Sequence, residues 1–249
     1  MSTLFAALID DAGLFPPTAL HMTEALERHE RDEELDNPVL THRFLCPTSR
    51  LDTLRRQSFM PRRIGLIVDN DEIPPFGDLP VDLVEVRGPR PPDGLPAHVR
   101  VFLEVLPTRH PTDLPPNVGL KVRCGGTEAA AFPHSHDLAA FIKHCVADDV
   151  PFKATAGLHH AVRHFDPSLA VDRHGFLNLL LAVCEAVEGR DPIPVLNSTD
   201  VGGLVQLARS VPDDTARQAR RLFVSYGSCS TGTPLEDLRV LGLIEEVKA

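Results

Sequence analysis

Lys121, in VGLKVRCGG, and Lys153, in VPFKATAGLHH, each follow a short apolar run and precede a glycine-bearing turn. In a parallel β/α protein such positions lie near the carboxyl end of a strand, where chemistry is usually done. Lysine is a poor core residue, because burying an ammonium without a partner costs several kcal/mol. Placed on neighbouring strands, the two ammoniums repel, and each is expected to depress the other's pKa. A lysine that is partly neutral near pH 7 attacks carbonyl carbon, so the pair points to Schiff-base chemistry. The bland alternative is that each lysine reaches the rim along its own stem and pairs with an acid.

Alternation along a strand decides which side chains share a face. Lys121 points with Arg123, opposite Leu120 and Val122, and Lys153 points with Thr155, opposite Phe152 and Ala154. Asp82 shares a face with Val84 and Val86, and Asp10 with Leu8. If those faces line one cavity, the carboxylates there offset positive charge and shuttle protons. Taken alone, Asp10 and Asp11 read better as a turn at a strand end. Glu104 closes a strand and points either into the site or to a neighbouring lysine. His159-His160 follow the Lys153 strand, and Cys46, Cys124 and Cys229 end other runs. A Cys/His set at a barrel mouth could hold zinc, but no CxxC or HExxH spacing supports one, so no metal and no cofactor are expected.

The elements that must position these residues are short. Eight β-like runs recur along the chain: Phe5 to Ile9, His42 to Cys46, Arg63 to Val68, Val81 to Val86, Val99 to Val105, Val118 to Cys124, Val150 to Thr155 and Leu222 to Tyr226. They are rich in Val, Ile, Leu and Phe, as strands buried on both faces should be. Helix signals fall between them at Thr23 to Asp32, Ser49 to Gln57, and from a cap at Ser135 or Asp137 to Ala147. More follow at Gly175 to Glu188, Asp200 to Ser210, Thr215 to Arg221 and Pro234 to Leu243. The connections around residues 70 to 80 and 88 to 97 are too proline-rich for long helices. With 249 residues and no linker or repeat, the pattern fits an α/β fold, a single (β/α)8 TIM barrel spanning 1–249. The tail from Leu241 to Ala249 either packs as a last helix or reaches the site.

Bulk properties narrow the function. A net charge of −10 argues against a nucleic-acid or anionic-membrane surface, yet leaves room for a locally basic pocket. The N-terminus lacks a basic region ahead of its apolar run, and no apolar run approaches a membrane span. The five scattered cysteines suit reduced thiols, so a cytoplasmic protein is expected. Self-association into a homo-oligomer stays open.

Seven segments, in order, resemble deoxyribose-phosphate aldolase and its class I aldolase relatives, which are (β/α)8 barrels. LIDDAGLFPP is similar to that family's L-I-D-H-T-L-L-x-P opening, and FLCPTSRLDTL to its strand with Cys and Pro ahead of a helix. PVDLVEV resembles V-D-x-V, and VRVFLEV resembles V-K-V-I-x-E. LKVRCGG parallels K-T-S-T-G, FKATAG parallels F-K-x-[AS]-G-G, and SYGSCS lies where the family has F-G-x-S-S. The resemblance implies that Lys121 forms the Schiff base and Lys153 holds down its pKa. It also implies that Asp82 relays protons with a water and that Asp10 pairs with Lys153. The chain departs from the family where phosphate is bound: Ala156-Gly157 replaces Gly-Gly, Cys229-Ser230 replaces paired serines, Gly126 stands where a basic residue is expected, and Val122 and Arg123 replace small residues. Gly157 and the Gly227-Ser228 turn retain backbone N–H groups for an anion, and Arg123 can clamp a carboxylate or phosphate. Thr155, His159 and Ser230 complete the expected substrate-binding set. The expectation is thus an aldolase-type lyase acting on a small anionic carbonyl compound, phosphorylated or carboxylated, other than 2-deoxyribose 5-phosphate. The alternatives are another barrel enzyme (isomerase, decarboxylase or hydrolase) working through His159, His160 and acids or a metal, and a non-catalytic barrel that binds a small anion or a partner protein.

Overall fold

Seven of the eight apolar runs form strands, because a run of Val, Ile, Leu and Phe hides both its faces only inside a covered parallel sheet. The computed structural model describes residues 3–70 and 72–245. In it the strands are β1 (Ile9–Asp11), β2 (Leu40–Pro47), β3 (Arg63–Ile67), β4 (Val81–Arg87), β5 (Arg100–Val105), β6 (Val118–Arg123), β7 (Phe152–Thr155), a short antiparallel hairpin of β8 (His164–Asp166) and β9 (Val171–Arg173), and β10 (Phe223–Ser228). Apart from the hairpin, each strand pairs in parallel with its neighbours in the order β1-β10-β7-β6-β5-β4-β3-β2, which closes the barrel. The fold is the expected (β/α)8 barrel. No helix among the described residues is long and apolar enough to cross a membrane.

The helices are α1 (Met22–Leu35), α2 (Leu51–Arg55), α3 (Ser135–Ala147), α4 (Phe176–Val187), α5 (Ile193–Asn197), α6 (Val201–Ser210), α7 (Asp213–Leu222) and α8 (Gly232–Val240). The Asp200 side chain caps α6 by accepting from Gly203 N at 3.0 Å. Helix α3 instead starts after His134, so neither Ser135 nor Asp137 is its cap. Helix α4 is buried along nearly its whole length, because α3, α5, α6 and α7 all pack on it. Its buried polar residue, Asn178, is satisfied: Nδ2 donates to Val195 O at 2.7 Å and Ser198 O at 2.8 Å, and Oδ1 accepts from Arg163 N at 2.8 Å.

The first run moves. Residues Thr3–Phe5 form a 3-10 turn packed against α7, and β1 contains the aspartates. Asp10 and Asp11 lie inside a strand, not at a turn, because Asp10 meets the buried Arg43 and Asp11 the partly buried Arg28. Along the expected tail, residues 241–245 are not helical, and 246–249 lie outside the described residues.

One sector departs from regular (β/α) alternation. Among the described residues, the crossings from β3 to β4, β4 to β5 and β5 to β6 hold no helix. Ile73, Phe76, Leu79, Leu95 and Leu114, carried on proline-rich loops, pack against the core there instead.

The barrel interior holds long charged side chains where layers of branched apolar residues are usual. Glycines make room for them. A Cβ on Gly65 would sit 2.6 Å from Leu45 and 3.0 Å from Arg43, and one on Gly119 would sit 2.7 Å from Phe102 and 2.4 Å from Pro151 O.

Candidate active site

Strand register sets the two lysines side by side. Lys121 is the Cα partner of Lys153 across β6 and β7, and Glu104 is the partner of Lys121 across β5 and β6. Both lysines point inward and both are buried. Neither ammonium stands alone. Glu85 bridges them, with Oε2 at 2.5 Å from Lys121 Nζ and Oε1 at 3.3 Å from Lys153 Nζ. Glu104 Oε2 lies 2.9 Å from Lys121 Nζ on the mouth side. Below, Lys153 pairs with Asp10, which also accepts from Thr41 Oγ1 at 2.6 Å and Ser225 Oγ at 2.7 Å.

The pairs join into one line of alternating charge from the floor of the barrel to its mouth. Arg63 meets Asp82 at 2.6 Å, Asp82 meets Arg43 at 2.7 Å, and Arg43 meets Asp10 at 2.7 Å. Lys153, Glu85, Lys121 and Glu104 follow, and Glu104 then meets Arg123 at 3.4 Å and Arg87 at 3.7 Å. The line begins and ends on arginine, so its upper end presents positive charge to whatever enters.

These neighbours decide protonation. Burial alone lowers the Lys121 pKa, but Glu85 and Glu104 outweigh it and hold the ammonium above the ordinary lysine value. The expected depression by Lys153 is thus overturned for Lys121, because carboxylates stand between the two cations. Burial raises the Glu104 carboxyl, and Lys121 first and then Arg123 bring it below its usual range. Asp10 is depressed against burial by Lys153 and Arg43.

Above the network lies a cavity of about 700 Å³, lined by Lys121, Glu85, Glu104, Arg123, Thr155 and His159. Gly157 and Gly227 also line it, whereas Lys153 and Asp10 lie behind its wall. Gly157 adopts φ 73° and touches the next turn so closely that a Cβ would sit 2.7 Å from Cys124 O. Ala156 beside it holds φ 58°, a left-handed conformation that costs a side-chain-bearing residue roughly 1–2 kcal/mol. Strain of that kind at a cavity wall is characteristic of binding turns. The β8–β9 hairpin adds Ser168, Leu169 and Arg173 to the wall. A wider groove of about 870 Å³ between the loops after β3 and β4 contains no buried lysine or carboxylate pair.

Two expectations need correction. Asp82 lies near the amino end of β4, away from the cavity, bound to Arg43 and Arg63. The register slips between Ile64↔Val81 and Gly65↔Leu83, so Asp82 escapes the alternation that governs the rest of the strand. Glu85, three residues on, holds the place beside Lys121 instead. Ser228 and Ser230 are likewise not cavity residues: Ser228 Oγ donates to Ser230 O at 2.6 Å, and Ser230 Oγ accepts from Thr233 N at 3.2 Å. On β10 the inward positions are Ser225, Gly227 and the following Cys229. The cysteine and histidine set disperses as well. Cys46 Sγ turns to Pro47 O, His160 binds Asp237, and among the described residues no three of His, Cys, Asp or Glu converge to hold a metal.

Sequence reasoning missed Glu85, Ser225 and Arg87, whereas Cys229 and His159, two of the Cys/His set expected at the barrel mouth, do line the cavity. Glu85 carried a readable signal: it is a carboxylate in an apolar strand, needing a cation partner as much as the lysines need an anion. Set beside family models, curated proteins and solved structures, the chain finds no match in any of the three. The aldolase resemblance therefore rests on the residues of this chain alone.

Proposed function

We propose that this barrel is a class I, Schiff-base lyase of the aldolase type, acting on a small anionic carbonyl compound, with Lys121 as the reacting amine. The observation that carries this reading is the placement of Lys121 Nζ at the cavity wall in contact with two carboxylates, Glu85 and Glu104. Both carboxylates are within proton-transfer distance, which is what an imine mechanism needs.

The steps follow from that contact. An arriving carbonyl loosens the ion pairs, and Glu104 or Glu85 takes a proton from the ammonium. The free amine adds to the carbonyl carbon, and water leaves with a proton returned by the same carboxylates. The resulting iminium keeps the positive charge that the two glutamates already hold in place. In the retro-aldol direction, the electrons of the C–C bond beyond the iminium flow into it as an enamine. The proton on the departing hydroxyl passes to a carboxylate as the aldehyde leaves. Arg123, with Arg87 behind Glu104, attracts the anionic end of the substrate. Lys153 and Asp10 hold Glu85 from behind and do not touch the substrate.

A lysine held protonated at rest makes Schiff-base formation slow at neutral pH and faster as pH rises. The test is reductive trapping with a panel of aldehydes, ketones and keto acids, followed by borohydride and peptide mass spectrometry. An adduct on Lys121, growing with pH and absent in Lys121→Met, supports the proposal. No adduct in folded protein across the panel would leave the fully paired lysines as a structural network beneath a non-covalent anion site.

A further inference from the structure

The eighth barrel strand brings a second nucleophile to the same cavity. Cys229 follows β10 at an inward position and lines the cavity wall, and the Cys46, Cys124, Cys145 and Cys184 thiols do not. His159, which follows β7, sets its Nδ1 3.6 Å from Cys229 Sγ, and it lines the cavity too. This is the spacing of a thiol whose proton is shared with an imidazole.

Other groups approach Cys229 from the loop after β1, from α1 and from the β8–β9 hairpin. Thr18, in the loop after β1, lies close enough for its hydroxyl and backbone to help lower the thiol. Arg28 of α1 donates to Cys229 O at 2.8 Å and is itself paired with Asp11. Arg173 of the hairpin faces the same cavity, bound to Asp166. Burial raises the Cys229 thiol, but the hydrogen bonds from His159 and then Thr18 more than reverse this, bringing it down to about 7. Burial instead pushes Cys46, Cys124 and Cys184 up to about 12 and raises Cys145 as well. At neutral pH, then, the cavity holds an amine kept as ammonium and a thiol that is substantially thiolate.

We propose that Cys229 and His159 form a thiolate–imidazolium pair that captures an anionic aldehyde as a reversible hemithioacetal. The Cys229 sulfur forms a bond to the aldehyde carbon while the C=O π bond breaks. Its electron pair goes to oxygen, and that oxygen takes the proton carried by His159. No oxidant or leaving group is needed. Arg123 and Arg173, among the charged residues that line the cavity, are the groups that can hold the anionic end of such an aldehyde. The inference rests on a different side chain from the lyase reading.

The test is pulsed alkylation of the whole chain with iodoacetamide between about pH 5 and 10, read by peptide mass spectrometry. Cys229 is expected to react well over tenfold faster than the other cysteines at neutral pH, with an inflection near pH 7 that moves toward the ordinary thiol range in His159→Asn. Millimolar glyoxylate is then expected to slow Cys229 alkylation about tenfold, while glycolate, which has the same charge but no carbonyl, leaves it unchanged. Borohydride fixes an imine on lysine but releases a hemithioacetal. Protection that disappears when glyoxylate is washed out, with no reduced adduct, therefore belongs to the thiol. Cys229 reacting no faster than the buried thiols, or equal protection by glycolate, would overturn the proposal. So would protection retained after borohydride and washing with the adduct on Lys121, since the aldehyde would then block the cavity from the lysine.

Discussion

Replacing Glu85 by glutamine tests whether the charge line behaves as one unit. Glu85 is 2% exposed and contacts both ammoniums, at 2.5 and 3.3 Å, so the change leaves one uncompensated positive charge in the barrel. Removing one partner of a buried pair typically destabilises by about 3–5 kcal/mol. Each lysine keeps a second carboxylate, Glu104 or Asp10, which favours the lower end, about 3 kcal/mol. For a chain of this size that corresponds to a fall in Tm of roughly 6–12 °C. Adding Lys121→Met removes the stranded cation along with its partner. The double variant is therefore expected to be more stable than the sum of the two single changes by about 1–3 kcal/mol. Thermal and urea unfolding of the wild type, both single variants and the double variant complete the cycle. A Glu85→Gln protein as stable as wild type, or strictly additive effects, would refute the shared-bridge argument.

The other expectations concern the floor of the barrel and its pH limits. Asp82→Asn should weaken the two arginine contacts and cost about 1.5–3 kcal/mol, while leaving trapping at Lys121 within about twofold of wild type; a collapse of trapping in folded protein would return Asp82 to the chemistry. The depressed Glu104, Asp10 and Asp82 contribute stability that is present above the ordinary carboxylate range, near pH 4, and is lost as pH falls through their lower folded values. Lys121, being raised, contributes stability that is full below the ordinary lysine value near 10.5 and lost as pH rises through its folded value. Urea midpoints measured from pH 2 to 12 should therefore form a plateau that falls at both ends, and a monotonic profile would contradict the pairing.

The barrel was legible because its strands are nearly continuous apolar runs, a pattern that survives without knowledge of partners. Face assignment was legible at Lys121, Arg123, Lys153 and Thr155, where alternation holds and β6 and β7 keep register with each other. It failed at Asp82 because a register slip carries no sequence mark, and the same failure hid Glu85. Ser228 and Ser230 were expected from the family pattern, whereas the side of β10 that faces the cavity carries Gly227 and Cys229. The start of β1 was misplaced because aspartate disfavours strands in isolation. Partners from distant elements make the aspartates tolerable there, Arg43 and Lys153 for Asp10 and Arg28 and His29 for Asp11.

The helix-free sector from β3 to β6 has a consequence for how the molecule opens. Strands elsewhere on the barrel are jacketed by helices whose amides are internally bonded, and α3, α5, α6 and α7 among them pack around α4. In the helix-free arc the jacket is loop backbone rich in proline, which has no amide proton to exchange and little freedom to regain on melting. The barrel thus divides into cooperative units of different character. The opening of the β3–β6 arc is therefore reported chiefly by its strand amides, with a few bonded loop amides such as those of Leu79, Val99 and Arg109 beside them. That arc supplies Glu85, Glu104 and Lys121, so slow local opening there dismantles the charge line while the helical half stays folded.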